Sequence, residues 1–217
     1  MLEAVIFDMD GVIFDSERKV VECWLEIAEK YNIDGIEEQC HKCLGTNSAA
    51  TRQIMLDHYG ADFPYDEYKA EASALYHERY DGGRLPTKPA IRELLEWLKT
   101  HRIKTAVSSS TRSALVIKQL KDADLLKYYD AIIGGDMVSV SKPEPDIFLK
   151  ACEELKVAPE NACGIEDSYN GIRSVSRAGM CPIMVPDMAE PTSEMEQLAE
   201  VILPSLAEVI EYLSDKI

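Results

Sequence analysis

Ala4-Val5-Ile6-Phe7-Asp8-Met9-Asp10-Gly11 is an apolar run that ends in two carboxylates one residue apart and then a glycine. A short, continuously apolar run reads as a strand buried on both faces of a parallel sheet. In open α/β sheets ligands sit outside the carboxyl ends of the strands, so this strand would deliver Asp8 and Asp10 to a crevice. A carboxylate withdrawn from water is unfavourable unless it is paired, metal-bound or neutralised, and two together call for a cation. Taken alone, Asp-x-Asp-Gly is more often a strand-to-turn junction than a site, because Asp and Gly both make turns.

Three later strands end in the same manner. Thr105-Ala106-Val107 runs into Ser108-Ser109-Ser110-Thr111 and then a helical pattern; hydroxyls and the free N–H groups of a starting helix bind phosphate oxygens. Ala131-Ile132-Ile133-Gly134-Gly135 is followed by Ser141-Lys142-Pro143-Glu144-Pro145-Asp146, where two prolines stiffen the loop around one lysine. Ala162-Cys163-Gly164-Ile165 leads into a second acidic pair, Glu166-Asp167, before another helical stretch. Each piece has an ordinary structural explanation as an N-cap, a first-turn carboxylate or a solvated loop charge. Their common position after successive strands argues for one site.

In this order the four segments resemble the haloacid dehalogenase superfamily of phosphotransferases, and the resemblance spans nearly the whole chain. It implies Asp8 as nucleophile and Asp10 as general acid/base. Ser108, with Ser109 beside it, and Lys142 become phosphate ligands. Asp8, Asp10 and Asp167 become ligands of Mg²⁺, Asp10 through its carbonyl, with Glu166 near or on the metal. The chemistry is consistent with these roles. A carboxylate approaching a phosphate dianion meets like charge, and one pair of unit charges ~4 Å apart costs about 4 kcal/mol at an effective dielectric of about 20. A cation and Lys142 would offset that repulsion, and an aspartyl-phosphate would divide the reaction into two easier steps. The second aspartate also favours phosphoryl transfer over carbon–halogen cleavage, because the dehalogenases of the superfamily do not keep it.

Composition bounds the protein further. The chain has 217 residues, 46% of them hydrophobic, with 23 basic against 39 acidic side chains and a formal net charge of −16. That length holds one good core, or a core plus a small inserted domain. The acidic balance disfavours nucleic-acid and anionic-membrane partners and suits a soluble protein, expected to be cytoplasmic and a monomer or weak dimer; the small phosphorylated metabolite expected as its partner is what the resemblance implies. The apolar opening is too short, and lacks the basic flank, for a signal peptide. Six cysteines without a secretory signal are expected to be reduced, and Cys40-His41-Lys42-Cys43 lacks the second ligand pair of a zinc site.

The expected fold is α/β: a Rossmann-like doubly wound parallel sheet core over residues 1–15 and 83–217, with an all-helical cap domain inserted at 16–82. Val20, Val21, Trp24, Leu25 and Ala28 repeat at helical spacing, with breaks near Asn32–Gly35 and Gly60–Pro64. From Pro89 onward, strands are expected at 104–109, 131–134, 162–166, 182–185 and 201–203, alternating with helices. By resemblance the cap is that of β-phosphoglucomutases and related sugar-phosphate phosphatases. A closing cap selects the acceptor, so the loop containing Gly45, Thr46 and Asn47, together with His77 and Arg79, is expected to meet substrate. In the mutases the first cap helix carries a histidine where this chain has Val20, and the cap loop carries an arginine where this chain has Asn47 or a neighbour. Both differences favour a phosphatase, with a phosphosugar mutase as the alternative. A non-catalytic binding protein on the same scaffold is the further alternative, although no motif residue is lost.

Overall fold

The structure, a computed structural model, describes residues 2–43 and 48–216. The chain enters with β1 (Ala4–Phe7) and passes at once into four helices, α1 (Ser16–Tyr31), α2 (Ile36–Cys43), α3 (Ser48–Tyr59) and α4 (Tyr65–Tyr80). It then alternates: α5 (Ile91–Thr100), β2 (Lys104–Ser109), α6 (Ser113–Asp122), β3 (Ala131–Gly134), α7 (Asp146–Leu155), β4 (Ala162–Glu166), α8 (Tyr169–Arg177), β5 (Cys181–Met184), α9 (Ser193–Leu198), β6 (Val201–Ile202) and α10 (Leu206–Ser214).

The six strands form one parallel sheet in the order β3-β2-β1-β4-β5-β6. This is the Rossmann-like doubly wound α/β arrangement. Every side chain of β1 is buried, because the strand is central and covered on both faces. Val5 and Phe7 pack with β2, α5 and α10 residues on one face, while Ala4 and Ile6 pack with Phe148 and Ala151 of α7 on the other. Burying a side chain of the size of Ile or Phe contributes about 1.5–3 kcal/mol, which is why the least polar segment takes the centre.

The direction of winding reverses between β1 and β4, which are hydrogen-bonded neighbours. The loops that leave their carboxyl ends splay apart there and leave a crevice. Asp8 lies one residue beyond β1 and Asp167 one residue beyond β4, so topology alone brings the two acidic pairs together.

The four helices that follow β1 have their own apolar cluster, including Trp24, Ile27, Met55, Tyr65 and Tyr68. The two connections between this helical group and the sheet run side by side. Phe14 bridges Thr87, Asp15 N donates to the Pro86 carbonyl at 3.0 Å, and Lys88 N donates to the Ile13 carbonyl at 2.9 Å. α9 has no counterpart among the helices read from the sequence. It is six residues long, started by Thr192, whose hydroxyl accepts from Met195 N, and its one fully buried side chain is Met195. Such a short element offers too few apolar positions for a period to be seen.

Candidate active site

Lys142 stands at the centre of the crevice, its side chain 7% exposed. Its ammonium donates to Asp8 Oδ1 at 2.5 Å, to Glu166 Oε1 at 2.7 Å and to the Ser108 carbonyl at 3.1 Å, and it lies 5.0 Å from the centre of the Phe148 ring. Burial works against its charge, but Asp8 and Glu166 outweigh that and hold its pKa above the usual lysine value. Glu166 is fixed from the other side as well. Its Oε2 accepts from Asp167 N, Ser168 N and Ser168 Oγ, each at 3.0 Å, at the N-terminal end of α8 where a carboxylate is favoured. Gly171 in that helix makes room: a Cβ there would lie 1.8 Å from the Glu166 carboxyl carbon.

The carboxylates crowd one another. Asp8, Glu166 and Asp167, all buried, place oxygens within 4.8 Å of one another. Burial, with Glu166 and Asp10 adding to it and Lys142 opposing, pushes Asp8 up to about 7. Asp167 is raised well above the ordinary aspartate value, by burial first and then by Glu166, Glu17 and Asp8. Both shifts express carboxylates withdrawn from water first and crowded by like charge second, a state that a cation would relieve. The donor set fits a divalent one. It is all oxygen, as hard ions require, and both Glu166 oxygens are already engaged by donors, which leaves Asp8 and Asp167 as the side chains best able to ligate. Gly11, at φ +78°, passes so close to Asp167 that a Cβ would sit 2.1 Å from Oδ2; only glycine permits that approach without strain.

Asp10 is held differently. Its Oδ1 accepts from Ser16 Oγ at 2.6 Å and its Oδ2 from Thr111 Oγ1 at 3.3 Å. Burial raises its pKa, and these hydroxyls moderate the rise. A carboxyl that carries a proton more readily than usual, beside a buried carboxylate, can exchange that proton with a substrate oxygen.

The cleft of about 730 Å³ runs from Asp8, Asp10 and Lys142 into the helical group. Val20, Trp24 and Met55 form an apolar wall, while Lys69, Ser73 and Tyr76 supply polar groups from α4. Two expectations are corrected here. His77 and Arg79 do not line the cleft: His77 Nδ1 lies 3.1 Å from Asp81 Oδ1, Arg79 pairs with Glu26 at 2.7 Å, and both are exposed. They flank the Lys69-Ser73-Tyr76 stripe of the helix instead of lying on it. The Ser108 hydroxyl also turns away, donating to the Ile147 carbonyl at 3.2 Å, because β2 continues through Ser109 and sends Ser108 to the α7 face. Ser109 is buried and its Oγ accepts from Thr111 N at 3.1 Å. Ser110 and Thr111 are the members of that hydroxyl run that line the cleft. Gly45, Thr46 and Asn47 lie outside the described residues.

Sequence reading missed Ser16, Glu17 and Asp187. Glu17 lines the cleft, and burial together with Asp10, Asp8 and Asp187 pushes it up to about 8. Asp187 follows β5 in Val185-Pro186-Asp187, so the strand-end logic that found the other acids also points to it. Among the described residues all six cysteines are thiols, and the Cys40/Cys43 pair joins no metal-ligand cluster.

The model of the haloacid dehalogenase-like hydrolase family matches residues 5–185, which includes every carboxylate of this site except Asp187. The chain belongs to that family. Two relatives of the hydrolase are similar over most of both chains. The phosphorylated carbohydrates phosphatase of Thermotoga maritima is 34% identical over 182 residues, covering 82% of each chain. The β-phosphoglucomutase of Bacillus subtilis is 33% identical over 192 residues, covering 85% of this chain and 83% of its own. Among solved structures, a Thermotoga maritima protein provisionally described as a β-phosphoglucomutase superposes with a TM-score of 0.81 at 29% identity, covering all of both chains. Haloacid dehalogenase-like hydrolases generally use a divalent metal, and the Asp8-Glu166-Asp167 cluster suits one.

Proposed function

We propose that this hydrolase is a Mg²⁺-dependent phosphatase that cleaves a small phosphomonoester, a sugar phosphate, through an aspartyl-phosphate on Asp8. The observation that carries the reading is Asp8 at the switch point, gripped by Lys142 through one oxygen and facing Asp167, with a second, hydroxyl-held aspartate two residues away. The Thermotoga phosphatase named for phosphorylated carbohydrates supports the substrate class.

In this mechanism a carboxylate oxygen of Asp8 forms a bond to phosphorus while the ester P–O bond breaks, and Asp10 gives its proton to the departing alkoxide. Asp10, now ionised, takes a proton from water, whose oxygen attacks the phosphorus and frees Asp8 and inorganic phosphate. Lys142 neutralises charge on the transferring group and orients Asp8. Ser16 and Thr111 keep the Asp10 carboxyl turned to the cleft. The Mg²⁺ held by Asp8 and Asp167 would supply the remaining positive charge that lets a dianion approach a carboxylate. Val20, Trp24 and Met55 offer apolar surface to the carbon skeleton of the ester.

Val20 also bears on the mutase alternative. It lines the cleft as a side chain that cannot move a proton, and this favours release of phosphate over its return to a sugar. The test is a panel of phosphorylated metabolites that includes β-glucose 1-phosphate, with Mg²⁺, following inorganic phosphate and isomerised sugar phosphate together. Phosphate release abolished by EDTA and by Asp8→Asn supports the phosphatase. Isomerisation without phosphate release would make the protein a mutase.

A further inference from the structure

A second convergence of carboxylates lies directly beside the first. Glu17 from the first turn of α1, Asp167 after β4 and Asp187 after β5 bring oxygens within 4.8 Å of one another. The Asp187 side chain is 1% exposed, and its Oδ1 receives Lys88 at 2.7 Å and Arg18 at 3.1 Å. Its Oδ2 is buried and has no hydrogen-bond partner among the described residues. A buried acceptor left without a donor is unfavourable and needs an explanation.

The chemistry of a small dication provides one. Mg²⁺ dehydrates reluctantly and keeps several waters when only one or two carboxylates reach it, and each retained water presents protons that need acceptors. Asp167 belongs to both clusters, so acceptors that share its surroundings are within reach of that hydration shell. We propose that Glu17 and Asp187 are positioning residues that accept hydrogen bonds from the waters of the cation held by Asp8 and Asp167. The inference rests on the metal reading given above and extends it to two residues outside the haloacid dehalogenase sequence pattern. A second dication bound directly by Asp187 is disfavoured, because Lys88 and Arg18 already neutralise the same carboxylate. These partners also tie Asp187 to α1 and to the return connection from the helical group, so its carboxylate is held from both of the chain's crossings.

The test is calorimetric titration of the full chain with Mg²⁺ and, separately, with Ca²⁺ at one pH, using wild type, Glu17→Gln, Asp187→Asn and Asp167→Asn. The expected result is one cation per wild-type chain and Mg²⁺ binding about 10–100-fold weaker in both Glu17→Gln and Asp187→Asn. Ca²⁺, which sheds water more readily, loses less affinity in the same variants. A merely structural role would weaken both ions alike, and that result overturns the proposal, as does unchanged Mg²⁺ affinity or a second cation bound per wild-type chain. Should one variant fail to fold, the other variant and the wild-type stoichiometry still decide. Loss of Mg²⁺ binding in Asp167→Asn alone would overturn this inference and leave the metal reading standing. Absence of Mg²⁺ binding in wild type would overturn both.

Discussion

Lys142 is the residue on which the site's electrostatics turn, because one ammonium serves two buried carboxylates at 2.5 and 2.7 Å. Replacing it by Met removes the partner and leaves the acids buried. Breaking such a pair costs about 3–5 kcal/mol where the charges persist. The cost depends on pH. Lys142 lowers the Asp8 pKa, which burial has pushed up to about 7, so without the lysine Asp8 keeps its proton to still higher pH. Lys142→Met is therefore expected to lower the denaturation midpoint at both pH 8 and pH 5, and more at pH 8, because at pH 5 Asp8 is neutral and only its share of the pairing is gone. Urea unfolding of metal-free protein at the two pH values measures this, and an equal loss at both would contradict the pairing of Lys142 with Asp8. The lysine was legible in the sequence because two prolines isolate it after a strand. Its grip on Glu166 was not, since pairing of residues 24 positions apart depends on how the loops return.

At the scale of elements, the strands were readable because a central parallel strand must be apolar on both faces. Ala4–Phe7 and Ala162–Ile165 therefore stand out as continuous runs. The faces of α4 were not readable, because it carries polar groups both on the cleft stripe and on its flanks. Lys69, Ser73 and Tyr76 face the cleft, whereas His77 and Arg79 face solvent with Asp81 and Glu26 as partners. Charge alone had nominated the wrong pair; only the packing of α4 against α1 settles which stripe is inside. Exposed ion pairs contribute about 0–1 kcal/mol. His77→Ala and Arg79→Ala should thus leave kcat/KM within about twofold of wild type and stability within about 1 kcal/mol, while Tyr76→Ala raises KM. A steady-state comparison of the three variants checks the assignment, and a large KM increase for Arg79→Ala would contradict it. The serine run shows the same limit: the end of β2 was placed correctly, yet one residue of register decides whether a hydroxyl meets the cleft or α7.

For the whole molecule the dominant quantity is negative charge concentrated at the switch point. Asp8, Asp10, Glu17 and Asp167 all bind protons more tightly in the fold than in the open chain, with burial the first cause in each case. The sign of the consequence follows from linkage. Between the ordinary carboxylate range near 4 and the raised values of about 7 for Asp8 and about 8 for Glu17, the folded chain holds more protons than the unfolded one. Stability of the metal-free protein therefore falls as pH rises through that window, and Mg²⁺ in excess restores it at pH 8 by taking the place of the protons. Thermal melts across pH 4–9, with EDTA and with Mg²⁺, should diverge at the alkaline end and converge at the acid end. Curves parallel across the range would contradict a cation site among these acids. No helix among the described residues is long and apolar enough to cross a membrane.

The claim on which the rest depends is that Asp8 carries the phosphoryl group. Acid quenching of the enzyme during turnover of the best substrate of the panel, followed by mass spectrometry of its peptides, tests it directly. The account predicts a phosphoryl adduct on the peptide containing Asp8, present with Mg²⁺ and absent with EDTA or in Asp8→Asn. Sustained phosphate release by Asp8→Asn, or an adduct on a different residue, would contradict it.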